Sequence, residues 1–353
     1  MSSSSLVLPI VALLVSLGMA GCTEDRVLIV QGQGALRCDG PRTLLLADGA
    51  GSGLDSLGET EDGWAVLYNE DRNLRLAEIS PDIAISAGPV TLGGGKDYRS
   101  PVAVRERDGY RLVFSRRVDA EAQIWSGYLS DDEPTSLQEE MRAVAEGMVD
   151  SHRVVPRGVA DQRILAWRSG RVAFVSDFEA GLAAEANALE ETSDNRRILA
   201  FRAGSDAMWM LLEGDGYSVE RFSVEGVPAG RVLEGGLGEH AALAVDGEEA
   251  WMVAAVGGQI EARPLHAEGS SQNLDARLPV VRLDADGSGG SVVIAWADAE
   301  GVSVSFDFAA PQRLDIPGVT QLRIRAFASG VLLAVHLEGG ALGEQVNLHR
   351  ICR

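Results

Sequence analysis

Asp284 and Asp286 stand two residues apart ahead of Gly287 in the run DADGSGG, 284–290. That is the spacing of the front half of a calcium loop, in which alternate carboxylates supply hard oxygen ligands. The third acidic position and the distal bidentate Glu of such a loop are absent, so the run reads either as a weak calcium candidate or as a β-turn. The five histidines, His152, His240, His266, His336 and His349, include no pair at metal-ligand spacing on one element. LGGGKD, 92–97, has the glycines of a phosphate loop, but Val90 replaces the leading Gly and Asp97 the Ser or Thr that would hold magnesium. GQGALR, 32–37, lacks the third glycine of a dinucleotide fingerprint, and no serine sits in a G-x-S-x-G elbow. No catalytic residue, resident metal or cofactor is therefore assigned from the sequence.

The cysteines carry more information. Residues 6–17, LVLPIVALLVSL, form an apolar core within the roughly 7–15 residues of a signal peptide and too short to span a bilayer. Ala20 and Gly21 supply small side chains for a signal peptidase, and Cys22 follows at once. This resembles the lipobox of bacterial lipoproteins, with Met19 where that family usually has Leu and with no Lys or Arg in the first five residues. The resemblance implies a signal peptide over 1–21, a diacylglyceryl group on the Cys22 thiol, a short tether over 22–26, and a mature chain held to the membrane by more than one acyl chain. Thr23, in place of the Asp associated with inner-membrane retention, points to the outer membrane where the cell has one.

Lys and Arg number 31 against 52 Asp and Glu, a net charge of −21, and residues 1–21 carry none of it. Such a chain repels phosphate, which excludes nucleic acid as a partner and favours a soluble monomer apart from its lipid.

What must position everything else is a repeat. Five-residue apolar strands begin at Trp64, Tyr110, Arg163, Trp209, Trp251, Val292 and Val331, about 40 to 53 residues apart, the period of four-stranded propeller blades. The third column holds Val66, Leu112, Leu165, Leu211, Val253, Ile294 and Leu333. The fourth, which faces the other way in a strand, is apolar too, so these strands are buried on both faces. Gly, Asn and Asp turns lead from each to a half-exposed strand such as LRLAEI from Leu74 or VNLHRI from Val346. Another short strand precedes most hairpins: PVAV at Pro101, ILAF at Ile198, AALAV at Ala241, PVVRL at Pro279 and LRIRAF at Leu322.

The reading is an all-β chain with one β-propeller of about seven blades over 27–353, closed by an N-terminal strand, either VLIV from Val27 or TLLLA from Thr43. Within it, SLQEEMRAVAEGM is expected to be a short surface helix: Ser136 and Glu139 form a capping box, and Leu137, Met141 and Val144 share a helical face. A distorted outer strand is the alternative. Trp64, Trp209 and Trp251 share a column as inter-blade packing, and the histidines fall on surfaces or blade edges.

If an N-terminal strand completes the last blade, Cys38 comes near Cys352, and export leaves these two to form one disulfide at the seam. The sequence points to a non-enzymatic envelope lipoprotein whose propeller binds a protein or glycan partner. The alternatives are a propeller hydrolase or lyase with an acidic site at the channel mouth, and a structural role in outer-membrane assembly.

Overall fold

The computed structural model describes residues 40–353 apart from 61–62, 95–97, 119–120, 134–136, 146–151, 157–162, 170–171, 179–186, 189–196, 237, 267–268, 277–278 and 341–342. The signal segment, Cys22, Cys38, VLIV and GQGALR lie outside the described residues.

The strands form seven four-stranded antiparallel sheets. After β1 (Arg42–Asp48), the first blade comprises β2 (Gly53–Thr60), β3 (Gly63–Glu70), β4 (Asn73–Ile79) and β5 (Ile85–Gly94). The second has β6 (Arg99–Glu106), β7 (Gly109–Val118), β8 (Glu121–Ser130) and β9 (Leu137–Ala145), and the third β10 (His152–Pro156), β11 (Arg163–Ser169), β12 (Val172–Asp177) and β13 (Asn187–Ala188). The fourth has β14 (Arg197–Ala203), β15 (Ala207–Glu213), β16 (Tyr217–Ser223) and β17 (Pro228–Gly236). The fifth has β18 (His240–Asp246), β19 (Glu249–Val256), β20 (Gln259–Pro264) and β21 (Gln272–Asp275). The sixth has β22 (Arg282–Ser288), β23 (Ser291–Ala297), β24 (Val302–Phe306) and β25 (Gln312–Leu314). The chain ends with β26 (Val319–Phe327), β27 (Gly330–Gly340) and β28 (Gly343–Cys352), which β1 joins as the fourth strand.

The first strand of each blade touches the first strand of the next, and β26 touches β2, so these seven strands encircle a central channel. The doubly apolar strands read from the sequence are the second strands, one step out from that channel. Their two faces supply two different cores. In β23, Ile294 and Trp296 pack toward the fifth blade while Val293 and Ala295 pack toward the seventh. Val66 likewise packs toward the seventh blade and Leu67 toward the second. Seven apolar clusters fill the seven gaps between blades. Trp64 packs across one of them on Phe327, ring centroids 5.5 Å apart, and Trp251 across another on Phe308 at 4.9 Å.

Two expectations are corrected. The expected helix is the outer strand β9. A β-bulge leaves Arg142 without a partner in the ladder, so positions 137, 139 and 141 and then 144 oppose Leu129, Gly127, Trp125 and Gln123 in one phase. Shifting the alternation by one residue turns a period of two into an apparent i, i+4, i+7 pattern. The bulged Arg142 is buried, bonds Ser126 Oγ at 2.7 Å and lies over the Phe178 ring. Likewise, PVVRL is mostly a lead-in: β22 begins at Arg282 and runs through the two aspartates, and the turn falls at Gly289 and Gly290, both with positive φ.

Closure of the ring lies between the chain's two ends. TLLLA is within β1, which pairs antiparallel with β28 from Arg42↔Arg350 to Asp48↔Gln345 with one bulge. Arg350 staples the seam. Its guanidinium is buried and donates to Gly40 O from Nε (3.2 Å) and Nη2 (3.1 Å), and to Pro81 O from Nη1 (2.7 Å). Lys cannot fork onto both carbonyls. Arg350→Lys is therefore expected to cost about 1–3 kcal/mol and to speed amide hydrogen exchange first in β1 and β28. Unaltered exchange there would mean that strand pairing alone holds the seam.

Candidate functional site

A propeller's first strands present an unpaired edge to the channel, and their free N–H and C=O groups need partners. Here side chains of the preceding blade supply many of them. Asp284 Oδ2 accepts from Ile324 N–H at 2.9 Å and Asp286 Oδ2 from Ala326 N–H at 3.0 Å, both from β22 to β26. Gln321 on β26 accepts from Leu54 N–H of β2 at 2.8 Å. Arg153 on β10 donates to Leu199 O of β14 from Nη2 at 2.9 Å and to its own neighbour His152 O at 2.7 Å. The bonds run in one rotational sense, each blade reaching the next.

This places the weak calcium pair. Asp284 and Asp286 alternate along a strand, with Ala285 packed in the blade between them, and each carboxylate holds a backbone amide of the seventh blade. Among the described residues, no group of three or more His, Cys, Asp or Glu is arranged to hold a metal ion. None of the five histidines bonds to either aspartate. His152 and His336 are buried, not at the surface as expected: His152 Nε2 lies 3.3 Å from Val113 O, and His336 Nδ1 lies 2.8 Å from Thr320 Oγ1. Burial lowers His152 and His349 to about 4, so both are neutral spacers between strands at neutral pH.

The channel also gathers charges that the sequence reading did not single out. Glu59 of the first blade feels Asp286 of the sixth, Arg325 of the seventh and Arg202 of the fourth. Blades this far apart around the ring meet only across the channel. Arg202 in turn feels Arg325, Asp286, Asp284 and Arg323, and Arg153 feels Arg323, Arg197, Arg202 and Asp284. Asp55, Glu59, Asp284 and Asp286 thus face Arg153, Arg202, Arg323 and Arg325. Asp286 lies 3.7 Å from Arg325 Nη1, and Arg323 and Arg325 each donate to the carbonyl before them, at 2.9 and 3.1 Å.

The protein surrounds this cluster, so burial dominates its ionisation. Desolvation raises Asp55 to about 7 against the pull of Arg323, although its carboxylate accepts a bond from Asn69 Nδ2. Glu59 keeps solvent contact through the channel, yet burial and then Asp286 raise its carboxyl. Burial and neighbouring guanidiniums lower Arg153 to about 9 and lower Arg202 as well, leaving Arg153 protonated at neutral pH.

No protein-family model matches the chain, and no curated relative matches it. Solved structures do resemble it. BBS1N, in its crystal structure in complex with ARL6DN, is 11% identical, with 88% of this chain and 96% of that chain covered and a TM-score of 0.55. The β-propeller domain of the Trilobed protease from Pyrococcus furiosus is 9% identical over 84% and 94%, TM-score 0.54. Polysaccharide lyase Uly1 is 9% identical over 84% and 89%, TM-score 0.53. At such identities the likeness is one of fold. This chain is a seven-bladed β-propeller. The Pyrococcus domain is described by an open velcro topology, whereas here β1 completes the last blade and the propeller closes on itself.

Asp55 binds its proton more tightly in the folded chain (about 7) than at its ordinary value of 3.8. Its ionisation therefore opposes folding progressively as pH rises from about 4 to about 7, and fully above that. In urea unfolding across this range, the stability of Asp55→Asn relative to the wild type is expected to grow with pH and then level off. A pH-independent difference would contradict the buried placement of Asp55.

Proposed function

We propose that this chain is a non-enzymatic lipoprotein of the bacterial cell envelope, held at the membrane through a lipidated Cys22, in the outer membrane where there is one. Its monomeric propeller presents the loops at its rims to a protein or glycan partner. The observation that carries this reading is the closed ring itself. Its channel carboxylates Asp284 and Asp286 are committed to backbone amides, and a rigid scaffold that displays loops is what recognition surfaces are commonly built on. The similarly folded BBS1N is seen in complex with ARL6DN, which supports a protein partner. A net charge of −21 favours a basic contact face on that partner.

A disulfide between Cys38 and Cys352 belongs to the same proposal. It is supported by the disulfide-bonded state of Cys352 and by the seam register, which continued from Arg42↔Arg350 brings position 40 opposite Cys352.

A hydrolase or lyase is the second reading. Its support is that Asp55 and Glu59 are biased toward the protonated form, as a general acid is, and that one similar fold is a polysaccharide lyase. Four residues apart on one strand, the two are separated by about 13 Å of backbone. The carboxyl pairs of glycosidases stand about 5–9.5 Å apart, closer than the backbone positions of these two.

In detergent-free fractionation the wild type is expected in the envelope fraction and Cys22→Ser in the soluble one. Immobilised Cys22→Ser propeller is then expected to retain, from solubilised envelope, a partner released by moderate salt. An envelope-bound Cys22→Ser variant would remove the anchor, and no salt-sensitive partner would remove the binding role.

A further inference from the structure

Arg202 differs from the other channel arginines. Arg153, Arg323 and Arg325 each donate to backbone carbonyls. The Nε of Arg202 is sealed from solvent with no partner, and none of the hydrogen bonds among the described residues uses its guanidinium. Arg75, Arg116, Arg163 and Arg221 also have a sealed Nε without a partner, but each holds a carboxylate through a terminal nitrogen, whereas Arg202 holds none among the described residues. Water could satisfy the N–H but could not offset the charge.

The surroundings make that charge harder to hold. The groups around Arg202 include two further guanidiniums, Arg323 and Arg325, both on β26. The opposing carboxylates are turned elsewhere: Asp284 to the amides of Ala285 and Ile324, Asp286 to that of Ala326, and Asp55 to Asn69. Burial also raises the carboxyls of Asp55, to about 7, and of Glu59, which weakens the negative charge facing the arginines.

We propose that the central channel holds a binding site for a small anionic group, a carboxylate or phosphate, with Arg202 as its direct donor and Arg323 and Arg325 supplying the field. A planar guanidinium matches either oxyanion in a forked, charge-assisted pair. Low-dielectric walls focus the field of the arginines on the channel, while the acidic exterior of a chain of net charge −21 repels extended polyanions. The site therefore takes a small ligand, or the anionic end of one, and not a polymer of like charges. It goes beyond the partner-binding reading and does not depend on it, since the rims and the channel are separate surfaces.

Soluble full-length Cys22→Ser protein, titrated calorimetrically with inorganic phosphate and, in a second arm, with acetate, both against a chloride background of matched ionic strength, tests the proposal. Saturable binding is expected in at least one arm, and the tighter arm assigns the ligand class. Arg202→Met is expected to weaken that binding at least tenfold, Arg202→Lys less, and exposed Arg42→Met not at all. Because no hydrogen bond or ion pair among the described residues depends on Arg202, Arg202→Met is also expected to fold at least as stably as its parent without phosphate. Binding in neither arm beyond chloride, or equal binding by Arg202→Met and its parent, would overturn the proposal.

Discussion

Each second strand of this ring is apolar on two faces, and neither face can be left to water. Trp64 to Tyr68 are all buried, and so is every residue of β23. A single blade buries neither side, and an open row of blades would leave two slabs exposed at its ends. Each Val, Leu or Ile so exposed would forfeit about 1.5–3 kcal/mol, so the open form fails by many side chains at once. Closing the ring removes both ends. The seam between the seventh blade and the first, built from β1, β28 and Arg350, is accordingly the contact on which the other six depend.

Closure produces the channel and sets its chemistry. Seven first strands brought edge-on to one axis leave backbone donors and acceptors unpaired, and polar side chains that reach from blade to blade satisfy them. That requirement explains why charged residues line a ring that is otherwise apolar between its blades. It also separates structural charges from available ones. Asp284, Asp286 and Arg153 are tied to the neighbouring edge, while Arg202 is not.

The blade count and the double burial of the second strands were legible because apolar residues in both the third and fourth columns, repeated at one period, fit few architectures besides a ring of stacked sheets. TLLLA as the closing strand was one of two open choices, since an outer strand has only one face to declare itself. The outer strand around Arg142 read as a helix because one bulged residue rephases its alternation. The channel was missed for a related reason. Arg323 and Arg325 alternate with Leu322, Ile324 and Ala326, and Asp284 and Asp286 flank Ala285, a pattern that a solvent-facing strand would also show. Polar residues at period two in the first strand of a blade, matched across several blades, were the available signal. His152 and His336 gave none, because a neutral buried imidazole bonded to a carbonyl or hydroxyl leaves no spacing rule in the sequence.

Removing β1 tests the central place of the seam most directly. Equilibrium unfolding in urea, with reductant present throughout, of a chain beginning at Ala50 can be compared with the Cys22→Ser chain beginning at residue 22. If closure supports the whole ring, the shortened chain unfolds at a much lower urea concentration, with protection lost in blades remote from the seam as well as beside it. An unchanged midpoint, or a loss of protection confined to the seventh blade, would contradict the account.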